Sequence, residues 1–365
     1  MPLVSVIIPA FNAEETLAET LSSVSAQTHR QIEILVVDDG SDDRTAEVAE
    51  AASRTEPRLE VIRQVNAGVA AARNAGLAKA RGDYVAWLDA DDLWHPAKIE
   101  KQLAVFAAAA TPLAFVYTGY RLIDRYGVII RNPRTLADVS GATICRQIAT
   151  TYFTNVSSMM APRSLVQALD GHDRRLRDWG IEGAEDLLLQ LRLALRAPAG
   201  CAREALVGYR MHGANMSRSI ARAARSNEKA LELIAEAAPE IPGWVFSQGR
   251  ARMIGFALQA ALAGDARNGL ALLSRLAGGQ PIEVAAMLFR IAGWSLGEAM
   301  GLRPADPALG RRFLIAEPAT APWEGHMLLT GSQRRQLDHL DRELADARLA
   351  RSIVLKNSSD RVDPR

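Results

Sequence analysis

Four times in the first hundred residues an apolar run of strand length ends in a breaker or a polar turn, and helical spacing follows. Parallel strands need a crossover between them and a helix supplies it, so this alternation predicts an α/β layer with a mainly parallel central sheet. Val4–Pro9 leads into Ala13–Gln27, Ile32–Val37 into Thr45–Ala52, and Leu59–Ile62 into Val69–Ala80; Tyr84–Leu88 opens the fourth unit. In such sheets ligands collect beyond the carboxyl ends of the strands, where the strand order reverses. The residues placed there are Pro9, Phe11 and Asn12; Asp38 and Asp39; Asn66, Gly68 and Arg73; and Asp89 and Asp91.

The fourth strand delivers three carboxylates within four residues, Asp89, Asp91 and Asp92. Carboxylates packed this closely repel one another, and a hard divalent ion such as Mg²⁺ or Mn²⁺ relieves that repulsion while keeping positions for water and phosphate oxygens. A purely structural alternative stands beside this, with Asp92 as the N-cap of a helix beginning at Leu93 and Trp94. Taken together, the strand-end residues suit a nucleotide. Phe11 offers a ring for a base, the carboxylates accept base or ribose hydrogens, and a helix N-terminus with Arg73 suits phosphate.

Four blocks in order, Val4-Ser-Val-Ile-Ile-Pro-Ala-Phe-Asn12, Val37-Asp-Asp-Gly-Ser-Asp42, Asn66-Ala-Gly-Val-Ala-Ala-Ala-Arg-Asn-Ala-Gly76 and Leu88-Asp-Ala-Asp-Asp92, closely resemble family 2 glycosyltransferases of the GT-A fold. The resemblance is strong over about residues 1–110 and weaker to about 219. It implies a Rossmann-like nucleotide-sugar-binding domain in which Asp39, with Asp38 beside it, reads the base. Pro9 and Phe11 would line the base, Arg73 would approach base or diphosphate, and Asn12, Asn66 and Gly68 would complete the donor site. Asp89 and Asp91 resemble the family's DxD pair, the first facing ribose and the second binding metal. Gly183-Ala-Glu-Asp186 resembles the Glu-Asp motif whose aspartate, here Asp186, is the general base of inverting members. Tyr209-Arg-Met-His212 resembles a segment whose histidine approaches metal or diphosphate, with Arg210 placed to offset leaving-group charge.

The activity so implied is metal-dependent, inverting transfer from a nucleoside-diphosphate sugar, a UDP-sugar first, to a hydroxyl of a glycan or lipid-linked acceptor in polysaccharide or glycolipid synthesis. Two alternatives stay open: a catalytically inactive relative that binds a nucleotide sugar or scaffolds a complex, and a sugar nucleotidyltransferase. The latter would carry a Gly-rich basic loop after the first strand, where this chain has Pro9-Ala-Phe-Asn12.

A formal net charge of +1 over 365 residues gives no bulk attraction to nucleic acid. Cys145 and Cys201 lack metal-type spacing and read as reduced thiols. No leader and no apolar run of membrane length is visible, so the expected location is cytoplasmic, with peripheral contact at the membrane's inner face left open. Residues 1–219 are expected as the catalytic domain, 220–304 as a helical appendage, and 305–365 as a linker, a charged helix and a loose tail. Helices are expected over 227–237, 249–262, 265–276, 282–300 and 331–354, the last a solvated charged helix by default, with pairing to a second copy of the chain as the alternative. Between 111 and 151 the periodicity weakens, and a return strand is expected over 154–160. Tyr117, Tyr120, Trp179 and Gly180 are the acceptor-side candidates, because aromatic faces stack on sugars and glycine admits a ligand to the backbone.

Overall fold

A computed structural model describes residues 1–134, 140–150, 155–211, 220–262, 309–316 and 331–359. The expected parallel half forms first. Strands β1 (Val4–Ala10), β2 (Ile32–Asp38), β3 (Leu59–Arg63) and β4 (Tyr84–Trp87) lie in the order β3-β2-β1-β4, all parallel. Every residue of β1 and β2 is buried, which is why both read as near-continuous apolar runs. The two faces still differ with period two. Val6, Ile8, Ile34 and Val36 meet Leu17, Leu21 and Val24 of α1 (Leu17–Ser25), Ala49 of α2 (Thr45–Ser53) and Ile99 of α4 (Lys98–Ala108). On the opposite face Ile7 and Leu35 meet Leu77 of α3 (Val69–Lys79). At Gly76 a Cβ would fall 2.5 Å from Ile7 Cγ2, so this glycine lets α3 lie close against β1.

Past β4 the sheet becomes mixed. β8 (Met159–Pro162) is antiparallel to β4 and to β6 (Phe115–Ile123), while β9 (Ala199–Arg210) runs parallel to β6. β7 (Ile129–Arg134) forms a ribbon with β6, and the two-residue β5 (Leu93–Trp94) pairs with β9. The weakly periodic region therefore contains β6, buried over nearly its whole length between β8 and β9, where alternation has no reason to appear. The expected return strand is β8 preceded by a 3₁₀ turn at Val156–Ser158, and residue 154 lies outside the described residues.

One expectation is corrected here. Leu93 and Trp94 do not start a helix; they pair with Gly208 and Val207, and α4 begins at Lys98. Trp94 is buried, and its indole nitrogen donates to the Ser157 carbonyl at 2.7 Å, so tertiary packing overrides the local capping pattern.

The remaining helices build onto the same core. α5 (Ile144–Thr150), α6 (Arg163–Ala168), α7 (Arg175–Asp178) and α8 (Glu185–Ala194) precede α9 (Ile220–Ala237) and α10 (Gly243–Leu262). Leu231, Ile234, Val245 and Phe246 join Phe115, Leu188 and Leu191 in one apolar cluster, so α9 and α10 share the core of the sheet domain. The helices expected over 265–276 and 282–300 lie outside the described residues. Residues 309–316, expected within a linker, return to the sheet: Val128 bridges Arg312, and Phe313 is buried with Leu93, Ile123 and Ile129.

The charged C-terminal helix, α11 (Gly331–Ser359), packs within its own chain. Leu337, Asp341 and Leu344, spaced i, i+4, i+7, form a buried stripe, and the Asp341 carboxylate accepts the backbone N–H groups of Cys145 and Arg146 at 2.6 and 3.3 Å. This stripe caps the start of α5. No helix of the described residues is long and apolar enough to cross a membrane.

Candidate active site

A crevice opens at the carboxyl end of β1 because its two ladders stop at different points. β1 stays paired with β2 through Ala10 and Asp38, but with β4 only through Ile7 and Trp87. This is the reversal point of the strand order, where an α/β sheet offers a ligand site. Pro9 sits in this stretch, buried and in register with Val37, past the end of the β4 ladder, so its missing N–H leaves no gap there.

Asp38 and Asp39 end β2. Asp39 is 3% exposed, and its carboxylate accepts from Gln64 Nε2 at 2.7 Å and from the N–H groups of Ala67 and Gly68, both at 2.8 Å. Asn66 donates its amide to the Asp39 carbonyl at 2.9 Å. Two loops that the sequence separates by 27 residues are thus clipped into one wall. A carboxylate has about four acceptor positions, and the described residues fill three of them. Asp38 is buried too, accepting from Ser41 N at 3.1 Å with the Arg63 guanidinium 3.5 Å away. Phe11, half exposed, and Asn12, at φ +50°, form the lip opposite; Asn12 ties to Ser41 and Asp42. Gly68, at φ +89°, starts α3 where a side chain would collide with Arg177 at 2.4 Å.

Arg73 is the hub of the second wall. It is 4% exposed and donates to Asp89 Oδ1 at 2.9 Å and to Glu185 Oε1 at 3.2 Å, linking the turn after β4 to the first residue of α8. Glu185 also accepts from Gly183 N at 2.9 Å. Next to it Asp186 is half-buried, with Oδ1 accepting from Leu187 N at 2.7 Å. Burial, then the Glu185 charge, push the Asp186 carboxyl up to about 7, against the opposing pull of Arg73. Burial also raises Asp89, again opposed by Arg73.

The other carboxylates of the acidic turn separate by role. Asp92 is fully buried, accepting from Ser157 Oγ at 2.6 Å and Arg210 N at 3.0 Å; burial and its acidic neighbours push it well above the usual range. It fastens the turn to β9 and does not cap a helix. Asp91 is half-buried, and its carbonyl accepts from Arg210 Nε at 2.7 Å.

Arg210, expected to face the leaving group, is 1% exposed. Its guanidinium also reaches the carbonyls of Asp124 and Arg125 and Glu19 Oε2 at 2.8 Å. Four of its five N–H groups are so placed, which fixes the guanidinium beneath the turn. His212 lies outside the described residues. Among the described residues no three His, Cys, Asp or Glu side chains converge as a metal cage. Were a hard cation to bind here, Asp91, half-buried in the acidic turn, is the carboxylate that could hold it, with the remaining ligands left to phosphate oxygens and water. That is the donor set Mg²⁺ and Mn²⁺ accept at phosphate sites.

Of the acceptor-side candidates, Tyr117 is buried in the core, Tyr120 is half-buried, Trp179 is 45% exposed and Gly180 takes φ +68° in an exposed turn. Sequence reasoning missed Glu19, Gln64 and Ser157, which hold the site's charged groups. No local pattern marks them, since each acts on a partner at least 25 residues away.

The family described as Glycosyl transferase family 2 matches residues 5–155. An uncharacterized glycosyltransferase of Nostoc sp. (strain PCC 7120) is 30% identical over 237 residues, covering 62% of this chain and 70% of that protein. The chain belongs to glycosyltransferase family 2. Within the family, TuaG of Bacillus subtilis (strain 168), provisionally named for teichuronic acid biosynthesis, is 41% identical over 127 residues, 34% of this chain and 50% of that protein. The chain thus spans half the length of that relative, and 38% of an uncharacterized glycosyltransferase of Rickettsia typhi. The mannosyltransferase PcManGT from Pyrobaculum calidifontis, solved with GDP-Man and Mn²⁺, superposes with a TM-score of 0.51 at 21% identity, covering 83% of this chain and 88% of that one. S. aureus TarS 1–349, solved with UDP-GlcNAc, gives 0.51 at 18% identity, with 76% and 92% covered. These likenesses show the shared GT-A fold.

Proposed function

We propose that this family 2 member is an inverting glycosyltransferase that moves a sugar from a nucleoside-diphosphate donor, a UDP-sugar first, to a hydroxyl of a glycan or lipid-linked acceptor. The observation that carries the reading is the Arg73 hub, which brings Asp89 and the Glu185–Asp186 pair to one crevice from positions 96 residues apart (89 and 185). A fourth acceptor position on Asp39 suits an N–H of the base, and Phe11 at the lip suits its ring. Asp89 faces the ribose. A divalent cation on Asp91 would supply charge neutralisation for the departing diphosphate.

Asp186 is the general base. A carboxyl raised to about 7 is half ionised near neutral pH and strong enough to take a hydroxyl proton as the bond to the sugar forms. Attack from its side, opposite the leaving diphosphate, inverts the anomeric centre without a covalent sugar intermediate. Asp186→Asn tests this reading. Transfer is expected to fall by about 10²–10⁴-fold while calorimetric binding of UDP with Mn²⁺ is retained. A variant with full transfer activity would exclude Asp186 as the base.

A further inference from the structure

Behind the crevice lies a second cleft of about 1010 Å³ that none of the strand-end carboxylates lines. Its lining carries five arginines, 174, 175, 192, 196 and 348, against three carboxylates, Asp170, Asp173 and Glu240, leaving a formal +2. The arginines come from separate places: the loop before α7, α7 itself, α8, the residues just past α8, and α11.

Their pairing is uneven. Asp173 serves two of them at once, Arg175 at 2.6 Å and Arg192 at 2.8 Å, and the pair holds its carboxyl down at about 2. Arg348 meets Glu240 at 2.7 Å and donates to the Leu195 carbonyl at 3.1 Å. Arg174 and Arg196 are exposed, and no side chain or carbonyl of the described residues partners either guanidinium. The carbonyl end of α8 attracts cations and accounts for Arg192 and Arg196 individually. It does not account for Arg174, which arrives from another element. Guanidinium forks lining one concavity suit a phosphate-type oxyanion, which accepts them bidentately.

We propose that this cleft is a second, metal-independent anion site that takes a phosphate or diphosphate group through Arg174 and Arg196. The wall between it and the crevice is built from Asn74, the neighbour of Arg73, whose amide exchanges bonds of 2.7 and 2.8 Å with the backbone of His172. Along α8 the step from Asp186 to the last residue, Ala194, is about 12 Å, and Arg196 lies beyond it. A phosphate held here is therefore remote from the atoms that react and belongs to an extended acceptor, a lipid headgroup or a free anion. Placing it on the acceptor side rests on the transferase reading; the anion affinity itself does not.

The test titrates the full chain in EDTA with inorganic pyrophosphate, and separately with phosphatidylcholine vesicles containing phosphatidic acid. Both arms compare wild type with Arg174→Ala/Arg196→Ala, and UDP with Mn²⁺ is the parallel readout. Pyrophosphate binding weakened at least about tenfold in the double variant, with UDP binding unchanged, supports a site for a soluble phosphate. Vesicle binding lost in the same variant supports a headgroup source. Absence of binding in both arms, equal binding by the variant, or displacement of pyrophosphate by UDP would overturn the proposal. Failure of UDP to bind wild type would instead count against the transferase reading and leave this result standing. Both arginines are exposed, and among the described residues neither guanidinium has a partner, so UDP binding by the double variant reports that it folds.

Discussion

Replacing Arg73 by methionine keeps the length of the side chain and removes the charge that three carboxyls share. In the wild type the guanidinium contacts Asp89 and Glu185, and its field also holds down the Asp186 carboxyl. Removing one member of a buried ion pair leaves the other uncompensated at about 3–5 kcal/mol, and here two partners are left. Protonation of those partners limits the loss, so it depends on pH. Without Arg73 the folded-state pKa values of Asp89 and Asp186 rise further above their unfolded values, the folded state binds more protons, and stability falls more steeply with rising pH than in the wild type. The deficit is expected at about 3–5 kcal/mol above pH 8 and to shrink toward pH 5. Urea unfolding of both proteins across that range measures it. If Asp186 is the base, the same substitution is expected to move the acid limb of the transfer rate upward from about pH 7, because the carboxyl would have to lose its proton to act. A stability difference below about 1 kcal/mol at every pH, or an acid limb that stays in place, would refute the Arg73 hub as the element that sets the site's charge.

Two further substitutions separate positioning from contact. Arg210→Lys keeps the charge but cannot reach the Asp91, Asp124 and Arg125 carbonyls and Glu19 together. Metal-dependent UDP binding is expected to weaken about tenfold or more, and calorimetry showing full affinity would mean that charge alone matters. Asp341→Asn examines the docking of α11. Burial raises this carboxyl from 3.8 to about 6, so its ionisation costs about 3 kcal/mol, and wild-type stability falls as pH rises through that window. The asparagine variant should lose that slope in urea titrations at about pH 4 and pH 7, and parallel slopes would show that Asp341 is not strained by burial.

What the sequence made legible follows from where each interaction is local. β1 and β2 announce themselves because burial on both faces demands unbroken apolar runs, and their acidic ends are fixed by the same register that pairs Ala10 with Asp38. The Glu185–Asp186 pair was visible as the start of a helix, but its meeting with Asp89 depends on Arg73, a residue whose partners lie 16 and 112 positions away. Leu93–Trp94 misled for the same reason. An aspartate before two apolar residues is a helix start by local rules, yet β9, more than a hundred residues later, takes both into the sheet. Asp92, freed from a cap, receives Ser157 and the backbone of Arg210, which fasten the acidic turn to β9 and to the 3₁₀ turn at Val156–Ser158. Local patterns therefore place the acids expected to meet a ligand, whereas the groups that hold those acids in register come from long-range packing and carry no mark of their own. That division explains why Asp39, Asp91 and Asp186 could be singled out in the chain and Glu19, Gln64 and Ser157 could not.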